Sequence, residues 1–418
     1  MNILWCHPSA WSGEYKMMRH LASQGHRICV LQSNRKLGVA RVLTNHFRDA
    51  NDGIETLWYN PSKGIEKLLT FPLDRVVRRS SYRGNLGHRM WMVRAAARHF
   101  QPDVVFCSEG FGYGVAAALL KRFGGLPYPL VVQFIGGDLM DEPEAGVGVR
   151  RTPLSTWLLK QVINSATCLK PVSPMLSEIL QADGAALDKI YVCPSHQAAD
   201  SVALEQAYVH RSMLRKSLRQ GLGIPSDAPV IVTLSGNWQG KGTHLLALAW
   251  DGIRRGVPGC HWLLAGPHPE WFMQVVIPLI KPFGNEIHLL GELRGVEVFE
   301  CLAAADLNVN PTLADGLNMV TVEAAAVGTP SLVTDKAGIA AWVAECGPGL
   351  VLPVGNVKAL EDGVVAFLSL NAPARMELAQ KFKRMSEGFS VETLAGQFID
   401  LLTEAKGREA RGISSVDR

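Results

Sequence analysis

Residues 310–330 read N-P-T-L-A-D-G-L-N-M-V-T-V-E-A-A-A-V-G-T-P, and this stretch decides the fold. It follows an apolar run, residues 306–309, that predicts a buried strand. The chain then turns through Pro311, Thr312, Asp315 and Gly316 and opens a helix near Leu317. Gly328 suits the left-handed residue that ends a helix, and Pro330 prevents its continuation. Inside that helix Glu323 sits among Val320, Val322, Ala324, Ala325 and Ala326. A charge on so apolar a helix is costly unless something pairs with it or hydrogen-bonds to it. Asp315 stands at the mouth of the helix, eight positions earlier, at most about 12 Å away along a helix axis. The helix N-terminus between them offers free N–H groups and a positive dipole to a phosphate. That spacing suits a nucleotide-sugar held end to end, ribose at one carboxylate and sugar at the other.

Outward from this unit, strand and helix patterns alternate along most of the chain. Its 418 residues suggest two domains, and 47 % apolar with 19 % charged residues suits a substantial core. Residues 3–6, 27–31, 54–58, 104–107, 130–134, 167–171 and 190–193 predict strands, with helices at 14–23, 112–122, 154–164 and 173–181. After Pro194 the chain turns polar and alanine-rich, and a helix over 204–220 leads to a second series. Its strands fall at 230–234, 261–265, 286–290, 306–309, 331–333 and 349–352. The expectation is an α/β protein of two doubly wound Rossmann-like domains facing each other across a cleft. The domains span 1–200 and 201–389, and a closing helix near 390–406 packs back on the first.

Composition excludes several classes. Eight scattered cysteines without a C-x-x-C pair read as buried reduced thiols, and with them a cytoplasmic compartment. The N-terminus M-N-I-L-W-C-H-P reads as a first strand rather than a signal peptide. No apolar run is long enough to span a bilayer. A net charge of +4 is too small to argue for nucleic acid, and no motif for it accompanies the basic stretch. That stretch holds Arg75, Arg78, Arg79, Arg83, Arg89, Arg94 and Arg98 with no acidic residue from Arg75 to Arg98. It is either a solvated helix face or a surface for anionic membrane or a phosphorylated acceptor. The membrane alternative places the chain peripherally at the inner face of the membrane.

The second series opens with Ser235-Gly236-Asn237-Trp238-Gln239-Gly240-Lys241-Gly242 before a helix over 243–253. A glycine-rich strand-to-helix loop with one lysine suits a diphosphate, although a plain turn with a solvated lysine has the same composition. It is not a Walker loop, because Lys241 precedes Gly242 and the required earlier glycine is absent. His7 and His196 are polar candidates at strand ends.

The loop at Lys241, then Leu289-Leu290-Gly291-Glu292, Ala304-Ala305-Asp306, Asn310-Pro311-Thr312, Asp315-Gly316-Leu317-Asn318, Glu323-Ala324 and Gly328-Thr329-Pro330 together resemble the carboxyl-terminal half of a GT-B glycosyltransferase. More narrowly they resemble the retaining, family 4 type, in order and spacing from about residue 228 to 405. The first half resembles it more loosely, through Gly13-Glu14, Gly25-His26-Arg27-Ile28 and Pro102-Asp103-Val104-Val105.

The resemblance implies roles. Glu323 holds the ribose hydroxyls, and Asp315 with Gly316, Leu317 and Asn318 meets the donor sugar. Lys241, on the loop with Gly236 and Asn237, binds the diphosphate, and the Gly13 loop closes on it. Asp138, after Ile135-Gly136-Gly137, becomes an acceptor-side candidate, so the catalytic set is Lys241, Asp315 and Asp138.

Three departures stand out. Asp315 replaces the family's glutamate, the stretch Gly236-Asn237-Trp238 stands where an arginine usually precedes the lysine, and Ile135 stands where the first domain often has a histidine. No D-x-D pair occurs, so the expectation is metal-independent transfer with no cofactor, from a nucleotide-sugar to a lipid-linked or envelope acceptor. A small natural product is the alternative acceptor. A nucleotide-sugar epimerase, or a non-catalytic relative that binds nucleotide-sugar, are the competing readings.

Overall fold

A computed structural model describes residues 1–7, 12–33, 54–59, 86–197 and 199–416. Arg75, Arg78, Arg79 and Arg83 lie outside the described residues. The chain folds into two compact units. One comprises Met1–Asp141, Gly148–Ala198 and Val391–Arg418, and the other Glu142–Val147 and Ala199–Ser390.

In the first unit the order is β1 (Asn2–His7), α1 (Ser12–Ser23), β2 (Arg27–Ser33), β3 (Ile54–Tyr59), α2 (Leu86–Phe100), β4 (Val104–Cys107), α3 (Val115–Arg122), β5 (Leu130–Phe134), α4 (Pro153–Ser165), β6 (Cys168–Pro171) and α5 (Pro174–Ala182). The six strands form one parallel sheet in the order β3-β2-β1-β4-β5-β6. Strands buried on both faces are mostly apolar, and β4 and β5 are buried at every position, with Gln133 the polar exception in β5.

The second unit repeats the plan. After α6 (Ser201–Val209) and α7 (Arg211–Gly221) come β7 (Val230–Leu234), α8 (Thr243–Gly256), β8 (His261–Ala265), β9 (Ile287–Gly291), α9 (Val296–Ala304), β10 (Leu307–Asn310), α10 (Met319–Ala326), β11 (Ser331–Thr334), α11 (Ala340–Cys346), β12 (Val351–Leu352), α12 (Val357–Leu368) and α13 (Ala372–Glu387). Its parallel sheet runs β9-β8-β7-β10-β11-β12. In both sheets the strand order reverses between the first and fourth strands of the unit. In sheets of this kind ligands bind at the carboxyl ends of the strands beside that reversal. The Lys241 loop leaves β7 and the Asp315 loop leaves β10, so both candidate loops start there.

Three elements differ from the sequence expectation, each for a physical reason. Residues 190–193 make only one bridge to β6, with Tyr191 and Cys193 donating to the Leu169 and Pro171 carbonyls. The return bond needs an N–H that Pro171 lacks. The single helix expected over 204–220 is two helices that meet at His210. The new direction brings Arg211 and Arg219 to the carbonyls of Ala303, Ala304 and Ala305, at the negative end of α9. The helix expected from Leu317 begins at Met319 instead. Asn318, at φ +77°, caps it by accepting from the Thr321 N–H and Oγ1.

The closing helix α14 (Val391–Val416) belongs to the first unit and runs past the expected end near 406. Its Phe398 packs against Trp5 and Phe106, with ring centroids 5.3 and 4.9 Å away, and Leu394, Leu401 and Leu402 join the same core. All eight cysteines are buried and unpaired. Among the described residues no helix is long and apolar enough to cross a membrane. Phe398→Ala is expected to destabilise the first unit by about 3–5 kcal/mol, the range for emptying an aromatic core site. Denaturant unfolding measures this, and an unchanged midpoint would show that α14 does not hold that core.

Candidate active site

The site in the second unit is built by stitching two loops. Gly242 has φ +68°, and a Cβ there would lie 1.8 Å from the Pro311 carbonyl oxygen, so only glycine allows this approach. The Gly240 carbonyl accepts from the Leu313 N–H at 2.8 Å and the Thr312 hydroxyl at 3.0 Å. Thr312 is held in turn, its carbonyl accepting from the Thr334 hydroxyl at 2.5 Å. These bonds lay the β7–α8 loop along the β10–α10 loop.

Lys241 and Asp315 meet as a consequence. Lys241 Nζ is 2.6 Å from Asp315 Oδ2, with both side chains mostly buried. Asp315 Oδ2 also accepts from Asn318 Nδ2 at 3.2 Å, and Oδ1 accepts from the Leu317 N–H at 3.4 Å. Gly316 and Leu317 are buried behind it. The Trp238 ring lies 5.7 Å from Lys241 Nζ, a cation–π contact.

Asn237 has a different place from the one expected. Its amide is fully buried, donating to the Pro267 carbonyl and accepting from Ser235 and Thr243 hydroxyls. The side chain is committed to shaping the loop at φ +51°, which leaves a ligand only its backbone. Gly236, beside it, is exposed.

Glu323 projects from α10 with no hydrogen-bond or ion-pair partner among the described residues. Burial pushes its carboxyl up to about 7.

Gly13, Asp138, His7 and His196 belong to the first unit, where the structure shows a buried polar network that sequence reasoning missed. Its centre is Glu14, at the start of α1. It accepts from Trp5 Nε1 at 2.9 Å, Ser108 Oγ at 2.6 Å and Gln133 Nε2 at 3.1 Å, and His7 Nε2 lies 3.1 Å away. Burial alone would raise this carboxyl, but the charge and hydrogen bond of His7 with those of Ser108 and Trp5 outweigh it and hold it at about 2. The buried Lys170 donates to Gln133 Oε1 and the Cys193 carbonyl, each at 2.7 Å, and desolvation lowers its pKa. His196 Nε2 contacts the Gly13 carbonyl at 2.5 Å, fixing the α1 entry. Burial lowers the His196 pKa.

Asp138 is fully engaged. Oδ2 accepts from the Gly110 N–H at 2.6 Å, and Oδ1 from Ile135 and Gly136 at 3.0 Å each. Burial raises its pKa against these bonds. Its geometry is that of a loop anchor. The only sequence signal for the network was position, since all its members lie at carboxyl ends of strands or at the start of α1.

The chain matches two family models, a glycosyl transferase 4-like domain over residues 15–196 and glycosyl transferases group 1 over residues 228–369. This chain belongs to the GT-B glycosyltransferases, family 4 type. Among curated relatives, the putative teichuronic acid biosynthesis glycosyltransferase TuaC of Bacillus subtilis is 22 % identical over 271 residues. That match covers 65 % of this chain and 62 % of TuaC, so the chain spans about three fifths of that relative's length. The 2-deoxystreptamine glucosyltransferase of Streptomyces kanamyceticus is 23 % identical over 297 residues, covering 71 % of this chain and 75 % of that protein. HepE of Anabaena, solved in complex with UDP and glucose, has the same fold with a TM-score of 0.70. It is 16 % identical, with 96 % of this chain and 99 % of HepE covered.

The Glu323 carboxyl gives this glycosyltransferase a pH signature. Its folded pKa lies above the unfolded value, so the folded state binds the proton more tightly. Stability is lost as pH rises from about 4.5 through about 7. Glu323→Gln is expected to match the native protein near pH 4.5 and to exceed it at pH 8, by on the order of 1–3 kcal/mol. Thermal melts at the two pH values measure this, and equal melting at pH 8 would place the carboxyl in an unstrained setting.

Proposed function

We propose that this glycosyltransferase moves a sugar from a nucleotide-diphosphate donor to an acceptor hydroxyl, with retention and without a metal. The observation that carries the donor is the pairing of Lys241 with Asp315 at the mouth of α10, with the unpartnered Glu323 further along the helix. In this reading Glu323 accepts hydrogen bonds from the ribose hydroxyls. Asp315 turns to the sugar hydroxyls, and Lys241 is released to neutralise the diphosphate as the glycosidic bond to it breaks. The leaving phosphate oxygen takes the proton of the acceptor hydroxyl on the same face, so no protein nucleophile is named. UDP and glucose bound to HepE support this kind of donor. The epimerase reading draws no support from Asp138, whose carboxylate oxygens are occupied by backbone N–H groups.

For the acceptor we favour a lipid-linked or envelope intermediate. The similarity to TuaC, a putative teichuronic acid biosynthesis glycosyltransferase, supports this reading, and the first unit carries a surface that suits it. Helices α2, α3 and α4 pack side by side and contain no acidic residue. They expose Arg94, Arg98, Arg122, Lys160 and Trp157, a mixture that suits an anionic bilayer interface. Arg89 points inward instead, 5.2 Å from the Tyr113 ring and 3.8 Å from Glu109. The 2-deoxystreptamine enzyme keeps a small natural product as the second reading.

Donor identity is read by thermal stabilisation with a panel of nucleotide-sugars. Glu323→Ala is expected to abolish the shift produced by the cognate donor, and equal stabilisation would refute the ribose assignment. Lys241→Met is expected to lower kcat/KM for transfer about 100-fold, the scale of one lost transition-state charge partner. Activity that disappears with a chelator would refute metal independence. At low salt the protein is expected to sediment with anionic but not zwitterionic vesicles, and Arg94→Glu with Arg98→Glu to reduce this several-fold. Indifference of the native protein to anionic vesicles would leave the small-molecule acceptor as the better reading.

A further inference from the structure

The loop after β11 lies directly against Asp315. The Asp315 N–H donates to the Lys336 carbonyl at 3.1 Å, the Gly338 N–H donates to the Asp315 carbonyl at 2.9 Å, and Asp315 pairs with Ala337 in an isolated bridge. Lys336 is therefore fixed beside Asp315 at the carboxyl edge of the sheet. Its ammonium is 2.7 Å from Glu142 Oε1, with both side chains about one third to two fifths exposed.

Glu142 begins the short segment Glu142–Val147, which packs into the second unit although it comes from the first half of the sequence. The segment sits on the Lys241 loop. Gln239 Nε2 donates to the Glu144 carbonyl at 3.0 Å. A Cβ on Gly240 would lie 2.7 Å from the Ala145 carbonyl oxygen and 2.1 Å from the Trp238 ring. The Lys336–Glu142 pair thus borders the same loop as the Lys241–Asp315 pair.

The charges then balance in a telling way. In these two pairs the lysines and carboxylates cancel, and Glu323 adds no positive charge, whereas a diphosphate brings at least two negative charges. The loop itself supplies one cation, because Trp238 stands ahead of Lys241 and no arginine does. Asp315 frees Lys241 when it turns to the sugar. Glu142 has water within reach and can free Lys336 in the same way.

We propose that Lys336 is the second cation of the donor site, and that Glu142 holds its place until an anionic oxygen of the donor displaces it. The anionic oxygen belongs to the diphosphate. This rests on the nucleotide-sugar reading above.

Calorimetric titration with UDP, ADP and GDP first identifies the nucleotide that the native protein binds. Lys336→Met is then expected to weaken that diphosphate about tenfold while leaving the matching nucleoside unchanged. Lys336→Arg restores most of the affinity, and Glu142→Gln tightens binding several-fold by removing the competitor. An equal loss for the nucleotide-hexose and the nucleotide-hexuronate supports the proposal, and a loss confined to the hexuronate would place Lys336 against the sugar and overturn it. Native-like diphosphate affinity in Lys336→Met, with native-like melting, overturns it while leaving the donor reading standing. If the native protein binds none of the three diphosphates, the donor reading fails and the proposal falls with it.

Discussion

The close approach of two backbones at Gly242 and Pro311 governs the second unit. A side chain at position 242 would collide with the Pro311 carbonyl, and the bonds from Leu313 and Thr312 to the Gly240 carbonyl exist only because the loops touch. Lys241, between the two glycines, has little choice of direction and meets Asp315. A diphosphate-binding lysine on an independent loop would have to be ordered by its ligand. Here the fold has already borne that entropy, which under the proposed function is the advantage of preorganised charge in catalysis.

Two buried carboxylates, Glu14 and Glu323, meet opposite surroundings. Glu14 is surrounded by donors and held at about 2, so it is a structural anion that fixes the entry to α1. Glu323 has none among the described residues and is pushed to about 7. A protein gains nothing in stability from leaving a carboxylate in that state, and sites of this kind trade folding free energy for ligand recognition. Asp138 shares with Glu14 a full set of donors, three backbone N–H groups, although burial still raises its pKa. Lys336 and Glu142 fall between, paired but accessible enough to part.

Much of this was legible in the sequence. The alternating apolar runs fix two parallel sheets, since strands buried on both faces have few other options. Glu323 was conspicuous because a lone acid among alanines and valines violates the expected pattern. Errors occurred where local rules met tertiary forces. The 204–220 segment has helical composition throughout, yet the carbonyls at the end of α9 draw Arg211 and Arg219 into a second direction. Pro171 removed one bond that the strand at 190–193 needed.

What the sequence determined by itself, then, is the order of elements, the glycine-rich loop, and the carboxylates at positions 315 and 323, because periodicity and composition are local properties. The tertiary structure alone decided which charges meet. Lys241 and Asp315 are 74 positions apart and Lys336 and Glu142 are 194 apart, and no local pattern encodes either pair. It also decided that Asn237 and Asp138 spend their polar atoms inside the protein. Hydrogen-bond accounting of that kind depends on which backbone groups the fold leaves without partners, and that is known only when the chain has closed on itself.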